Sequence, residues 1–421
     1  MEAYAKALSI AIPFFIFLIG IEAFFSWRMG IKINRGADMI SSLSSGLTNI
    51  VKDLLGLSII IVSYTWLVDK VALFYLAPVW YVYVLAFIAK DFAGYWIHRL
   101  EHRINIFWNR HIIHHSSEEF NLSCALRQST SEVFSFVGLF LLPAALLGIP
   151  AEVMAVIAPI QLFAQFWYHT RLINKMGFLE TFLVTPSHHR VHHAINAEYI
   201  DKNYSQIFIV WDKLFGTFQP ELKEVPAVFG VKRPVHTWNP LLIAVQHVGL
   251  ILKDALQTKS WKDKLRIWFM PTGWRPADVM TSRPVDTISD VYAFPKYDTQ
   301  VSMPLLIWSW TQYWILLGLT MYLFFHLGAI GFPMILVYGL FVFVSIFCLT
   351  ALLDKATYAG PVELIRFCLG GFLMYRQGGD WFGMSSSYSI APYFIGGYLV
   401  LSLMMTIYFQ FSEVRKFQMQ A

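Results

Sequence analysis

The chain has 421 residues, of which 57% are hydrophobic, 17% aromatic and only 14% charged, with a mean hydropathy of +0.52. Soluble domains carry about 25% charged residues, so much of this apolar surface must meet lipid, which excludes an ordinary soluble enzyme. The net charge of +5 is spread through loops flanking apolar stretches, which excludes a nucleic-acid-binding stripe and reads as membrane orientation.

The first apolar stretch, residues 8–27, lacks a small-residue cleavage site and is expected to be a span, not a removable signal. Further spans are expected at 54–68, 80–97, 133–147, 153–168, 305–327, 333–353, 362–375 and 388–411. That makes about nine across a bilayer core of about 30 Å. Arg28, Lys32 and Arg35 follow the first span, whereas only Lys70 follows the second, which assigns the first of these loops to the cytosol. Counting onward puts the N-terminus outside, the tail from Glu413 to Lys416 inside, and the histidine-bearing segments at the cytosolic face. Residues 171–301 hold sixteen of the 32 basic residues, many prolines and a helical stretch at 242–256. The expected architecture is an all-α integral membrane bundle with a cytosolic helical cap. It divides into an N-terminal bundle (1–170), the cap (171–302) and C-terminal spans (303–421). Cys124, Cys348 and Cys368 lie too far apart in sequence to suggest a disulfide framework or a thiolate site.

Ten of the thirteen histidines fall between positions 98 and 193. They form His98-x-x-x-His102, His111-x-x-His114-His115 and His188-His189-x-x-His192-His193, with His169 alone at the end of a span. Residues three and four apart share a helix face, so each HxxHH trio is expected to turn its imidazoles toward one point. His188 points about 100° from His189 on a helix and is expected to face outward or support the ligands. His236, His247 and His326 read as ordinary hydrogen-bonded residues. Imidazole suits Fe, Zn, Cu and Ni, so ligand number has to choose. A zinc site takes three or four protein ligands, whereas this set fills most of the coordination of two octahedral ions, and two irons are the natural reading for a redox site.

Such a charge needs acidic neighbours that also fix the imidazole tautomers. Asp91, Glu101, Glu118, Glu119, Asp201 and Asp212 are nearby in sequence, with Glu101 and Asp91 the acids taken as catalytic candidates. Asp91 lies two turns before His98, inside an apolar span where a carboxylate is costly unless it serves something. Three rivals explain less. His98-Arg-Leu-Glu-His102 spells the inverted zinc-protease signature but leaves seven clustered histidines idle. A haem protein would pair histidines across helices, and a transporter would place its site at mid-membrane.

The order HxxxH, HxxHH and, two spans later, HxxHH resembles the fatty acid hydroxylase and sterol desaturase superfamily of membrane di-iron oxygenases. The stretches 91–99, 114–118, 121–128, 165–170, 185–193, 201–204 and 211–218 carry that resemblance, and 353–355 with 363–366 extend it into the C-terminal spans. These longer strings favour the superfamily's ether-lipid monooxygenases over its sterol or fatty-acid hydroxylases and desaturases, which remain the alternative. The resemblance implies that His98, His102, His111, His114, His115, His169, His189, His192 and His193 bind iron. It also implies dioxygen as co-substrate, tetrahydrobiopterin as reductant and a membrane lipid as substrate. The carbon beside an ether oxygen would be hydroxylated, giving a fatty aldehyde and a glycerol derivative. Electrons must come from an external donor, because the sequence carries no cytochrome, nucleotide-binding or Fe–S motif. Asn121, Arg127 and Gln128 are pterin candidates by position alone. The superfamily's ether-lipid members carry a functional Glu directly after the second histidine of the first box; here Arg103 stands there and the acid is Glu101. The C-terminal spans, with a single histidine, are expected to shape a lipid channel or a homodimer contact.

Overall fold

A computed structural model describes residues 2–131 and 134–420 of the chain. Helix α1 (Glu2–Met29) is apolar over most of its length, and most of the stretch from Ile10 to Met29 is left uncovered by the protein. Helix α2 (Gly36–Leu54) is buried on two sides. Ile40, Leu43, Leu47, Val51 and Leu54 recur at three- and four-residue steps and join a large core, while Ser41, Ser42, Ser44, Ser45 and Thr48 are buried against polar segments.

The expected span at 54–68 is not one helix. Gly56 takes a left-handed turn (φ 64°), a two-residue strand β1 (Ile59–Ile60) follows, and helix α3 (Tyr64–Val71) completes the descent. Helix α4 (Trp80–Arg103) returns as 24 unbroken residues. Its Tyr81, Val84, Leu85 and Ile88 are exposed, while Asp91, Gly94, Tyr95 and His98 line the buried face. Ile104 is extended and separates α4 from α5 (Asn105–His115), which folds back against it.

The expected span at 133–147 is likewise broken, and Val133, where it begins, lies outside the described residues. Strand β2 (Phe134–Ser135) pairs in parallel with β1, and the short helices α6 (Val137–Phe140) and α7 (Leu142–Leu146) follow. Gly148 turns the chain with φ 71°, and a Cβ there would lie 1.8 Å from Phe74 O. Helix α8 (Ala151–Ala164) then climbs beside α4. Val82, Ala86, Ala144, Ile149 and Val153 form the core of this group.

The segment from 171 to 302 carries α9 (Pro186–His193), α10 (Val210–Leu214), α11 (Pro240–Gln257), α12 (Trp261–Arg266) and α13 (Ala277–Ser282) among long turns. It docks on α5 through amides: Asn105 Nδ2 donates to Ile267 O and Trp274 O, each at 3.0 Å, and Asn109 Nδ2 donates to Ala244 O at 3.1 Å. The chain then forms α14 (Met303–Phe325), α15 (Leu327–Ile330), α16 (Met334–Leu353), α17 (Ala359–Arg376), α18 (Ala391–Phe409) and α19 (Arg415–Gln420). Helices α14, α16, α17 and α18 pack with α1 and α2 around Leu316, Leu323, Phe341, Ile346, Trp381 and Leu399. Among the described residues, three segments are long and apolar enough to cross a membrane, Ile10–Met29, Met334–Leu353 and Ala391–Met419. The fold is therefore helical with apolar helices suited to a membrane, while the other expected spans are shorter, broken or richer in polar and aromatic residues.

Candidate metal centre

Four segments bring the histidines together. The C-terminal turn of α4 supplies His98 and His102, the last turns of α5 supply His111, His114 and His115, and the turns after α8 supply His169. Helix α9 supplies His189, His192 and His193, and it is short because Pro186 opens it and an extended Ala194 closes it. All eight of its residues are buried. The side chains form two adjacent groups: His98, His102, His111, His115 and His192 in one, and His114, His169, His189 and His193 in the other. Within each group the candidate ligand atoms lie within 4.8 Å of one another.

This corrects the expectation that each HxxHH trio would face one point. Positions i and i+4 differ by only about 40° around a helix, whereas i+3 lies about 60° to the other side. His111 with His115, and His189 with His193, each serve one group, and the intervening His114 and His192 cross to the other. The rings of His115 and His193 stack at 4.2 Å between centroids, joining the groups.

The hydrogen bonds fix what these rings can do. A carbonyl only accepts, so an imidazole nitrogen facing one must be its N–H donor. His98 Nδ1 donates to Tyr204 O at 2.6 Å and His192 Nδ1 to Lys202 O at 3.0 Å. His114 Nδ1 donates to Arg127 O at 3.2 Å and His169 Nδ1 to Gln165 O at 2.9 Å. His111 Nδ1 faces the Glu101 carboxylate at 3.4 Å. The Nε2 atoms of these neutral rings are therefore lone pairs, yet His98 and His111 Nε2 lie 2.9 Å apart and His114 and His169 Nε2 3.4 Å apart. Facing lone pairs repel unless a cation lies between them. Protons are a poor candidate, because burial together with crowding by other imidazoles pushes the pKa values of His111, His115, His189, His192 and His193 well below the usual range, and burial lowers His114 to about 3. The donor set fits two metal ions.

Backbone carbonyls take most of the role expected of acids. The loop 201–206 delivers two of them, with Asp201 and Asn203 in the left-handed region at φ 59° and 55°, which Asp and Asn tolerate better than most residues. Asp212, fully buried, accepts from Tyr204 N and Ser205 N at 2.8 Å each and so sets the carbonyl that holds His98. Asp91 has no hydrogen bond to an imidazole among the described residues and acts on the backbone instead. Its oxygens accept from Ile207 N, Phe208 N and Trp211 Nε1 at 2.9, 3.0 and 2.8 Å, anchoring the far end of that loop. Glu101 does reach the centre, through His111, and also pairs with Arg110 at 3.4 Å. Arg103 lies at the surface, bonded to Asp201 at 2.9 Å. Glu118 and Glu119 turn away toward Tyr297 N and Lys296.

His188 is in neither group; its Nδ1 donates to Leu183 O at 3.2 Å. His247 and His326 are satisfied by Asn105 O and Tyr322 O. Arg127, a pterin candidate by position, is buried, pairs with Asp38 at 2.7 Å and donates to Ser42 and Ser116. Asn121 caps its own turn through Ser123 N and Cys124 N and donates to Ile33 O. Gln128 Nε2 donates to Ala125 O. The sequence reading passed over Glu22, buried on α1, which accepts from Leu122 N at 2.7 Å and from Thr170 Oγ1 at 2.5 Å, beside His169. A carboxylate within a twenty-residue apolar run was the signal available.

A cavity of about 410 Å³ opens onto the first group, lined by His102, His115 and His192, by Trp108, and by apolar side chains such as Ile195 and Ile251.

A profile of the fatty acid hydroxylase family matches residues 83–217, the segment that carries all nine clustered ligand candidates. Over most of its length the chain is similar to alkylglycerol monooxygenases. It is 35% identical to that of Homo sapiens (87% of this chain, 82% of the relative) and 35% identical to that of Xenopus tropicalis (86% and 80%). For Danio rerio the identity is 33% (90% and 84%). No solved structure matches it. With the similarity running through the histidine groups and on into the C-terminal helices, the chain belongs to the alkylglycerol monooxygenase family, a branch of the fatty acid hydroxylases of membranes.

Proposed function

We propose that this protein is a membrane di-iron monooxygenase that hydroxylates the O-alkyl carbon of glyceryl ether lipids. The observation that carries this is the pair of adjacent groups of Nε2 lone pairs, held by outward Nδ1–H bonds and opening onto a largely apolar cavity. His98, His102, His111, His115 and His192 would hold one iron, and His114, His169, His189 and His193 the other. Bound irons supply the redox chemistry that activates dioxygen. The chain's own residues hold the rings, exclude water and orient the lipid. Trp108 and the apolar wall of the cavity would seat the alkyl chain with the ether carbon toward the His102 side.

The reaction balances as one oxygen atom entering the C–H bond, the second leaving as water, and two electrons and two protons supplied from outside. The hydroxylated ether is a hemiacetal; it collapses when its hydroxyl proton passes to the ether oxygen, releasing a fatty aldehyde and a glycerol hydroxyl. Tetrahydrobiopterin is the proposed reductant, acting as an external donor. In this reading the cap (171–302) lies at the cytosolic face, between the N-terminal bundle (1–170) and the C-terminal helices (303–421). The chain is read as making about nine passes, two of them broken, with the parallel β1–β2 pairing giving the two broken segments the same direction.

The test supplies a glyceryl ether, iron and tetrahydrobiopterin to the purified protein and measures aldehyde. Aldehyde is expected from the wild type and not from His115→Ala. Absence of aldehyde, with hydroxylation of a sterol or acyl chain from a cytochrome donor, would move the protein to the hydroxylase branch.

A further inference from the structure

Of the nine candidate ligands, eight lie on helices that each carry at least one other, whereas His169 lies in the turn after α8. A helix fixes where its histidines point, so His169 needs support from elsewhere. Its ring bond to Gln165 O sets the tautomer but not the place of the turn.

Helix α1 supplies that support. Phe166 packs on Phe15 at 4.4 Å between ring centroids, and Thr170, next to His169, donates from Oγ1 to Glu22 Oε1 at 2.5 Å. The carbonyl of Thr170 accepts from Arg190 of α9 at 3.2 Å. The residue beside His169 is thus gripped by α1 on one side and, on the other, by the helix that supplies His189 and His193. The second oxygen of Glu22 accepts from Leu122 N at 2.7 Å. Leu122 enters the tight turns that end at Arg127, whose carbonyl takes the Nδ1–H of His114. The two bonds of one carboxylate therefore lead to the supports of His169 and His114, both members of the second group. Glu22 is buried, about 10 Å along α1 from its end at Met29. A carboxylate at that depth in an apolar span is costly unless its bonds serve something, and a leucine would cross the membrane better.

We propose that Glu22 is a positioning residue of the metal centre: through Thr170 and Leu122 it holds the turn that carries His169 and the segment that orients His114, and so secures the metal of the second group. The proposal rests on the two-metal reading of the histidine groups and is independent of the lipid substrate.

The test counts iron in the purified full-length protein after dialysis against a chelator. The wild type should keep about two irons per chain and Glu22→Leu about one, its second group binding roughly 10- to 100-fold more weakly. The iron retained in the first group shows that the fold stands. Thr170→Val should lose the same iron. Glu22→Gln should keep both, because its amide oxygen accepts from Leu122 N and its amide NH2 donates to the Thr170 hydroxyl. Adding Glu22→Leu to His169→Ala should cost no further iron, whereas adding it to His98→Ala, which removes a first-group ligand, should empty the protein. Retention of both irons in Glu22→Leu, or equal loss from both groups, overturns the proposal. So does a Glu22→Gln that loses as much as Glu22→Leu, which would make the charge and not the bonds the cause. The two readings fail separately: a wild type that holds a single metal sinks the two-metal reading and the clamp with it, whereas two irons held by every Glu22 variant sink the clamp alone.

Discussion

At the scale of single residues the centre depends on which nitrogen of each ring points inward. His115 sits where the two groups touch, its Nε2 3.1 Å from those of His102 and His192. His115→Ala should therefore lower iron content and reduce turnover by 100-fold or more, as expected for a lost ligand. His188→Ala should keep its iron, since that ring faces Leu183 O; metal analysis of the two variants separates the roles, and iron loss in His188→Ala would refute them. Glu101→Gln tests the one carboxylate that, among the described residues, is paired with a ligand ring. It should cost about 10- to 100-fold in iron affinity or activity, read as metal retention against a competing chelator. Eight of the nine rings were legible because histidines three and four apart have few structural reasons to recur; His169, alone in sequence, was legible only through the resemblance. Their partners were not, because carbonyls such as Tyr204 O and Lys202 O leave no mark in a side-chain pattern, and Asp91 and Asp212 act one step behind them.

Among the elements, α2 shows how polarity hides a helix. A hydropathy scan favours 54–68 as the second span and passes over 36–54, because serines dilute the apolar stripe at Ile40, Leu43, Leu47, Val51 and Leu54. Ser42 is buried where it accepts from Arg127, which also pairs with Asp38 and offers its own carbonyl to His114. Removing one member of this buried pair leaves the other unpaired, which costs about 3–5 kcal/mol. Arg127→Met should accordingly lower the melting temperature of the detergent-solubilised protein markedly. Adding Asp38→Leu should recover part of the loss; no recovery would mean that the serine contacts, not the ion pair, dominate. The broken segments escaped a hydropathy reading for a related reason. Apolar content sets where 54–68 and 133–147 partition, but the left-handed turns at Gly56 and Gly148 set how the chain gets there.

For the whole molecule, the strongest constraint on topology is the direction of α4 and α8. Leu73 N and Leu76 N donate to Leu146 O and Gly148 O, so the turn at 147–150 sits at the Trp80 end of α4. His98 and His169 sit at the other end. Eighteen helical steps from Trp80 to His98 rise about 27 Å, close to the thickness of a bilayer core of about 30 Å. The C-terminal helices give an independent bearing. Ser302 at the start of α14 donates to Glu413, and Lys355 just after α16 pairs with the same carboxylate at 3.3 Å. Asp354 accepts from Thr237 and from Trp238 N of the cap. The tail and the cap therefore share one face, opposite residue 147. Single cysteines at Leu147, Lys213 and Lys416, with exposed Cys368 first replaced by serine, should be labelled from two sides of sealed vesicles. Lys213→Cys and Lys416→Cys are expected to react together from the cytosolic side, and Leu147→Cys only from the other. If Leu147→Cys reacts from the same side as Lys213→Cys, the α4–α8 pair does not cross the bilayer, and both the nine-pass arrangement and the placement of the histidine groups at the cytosolic face fail together.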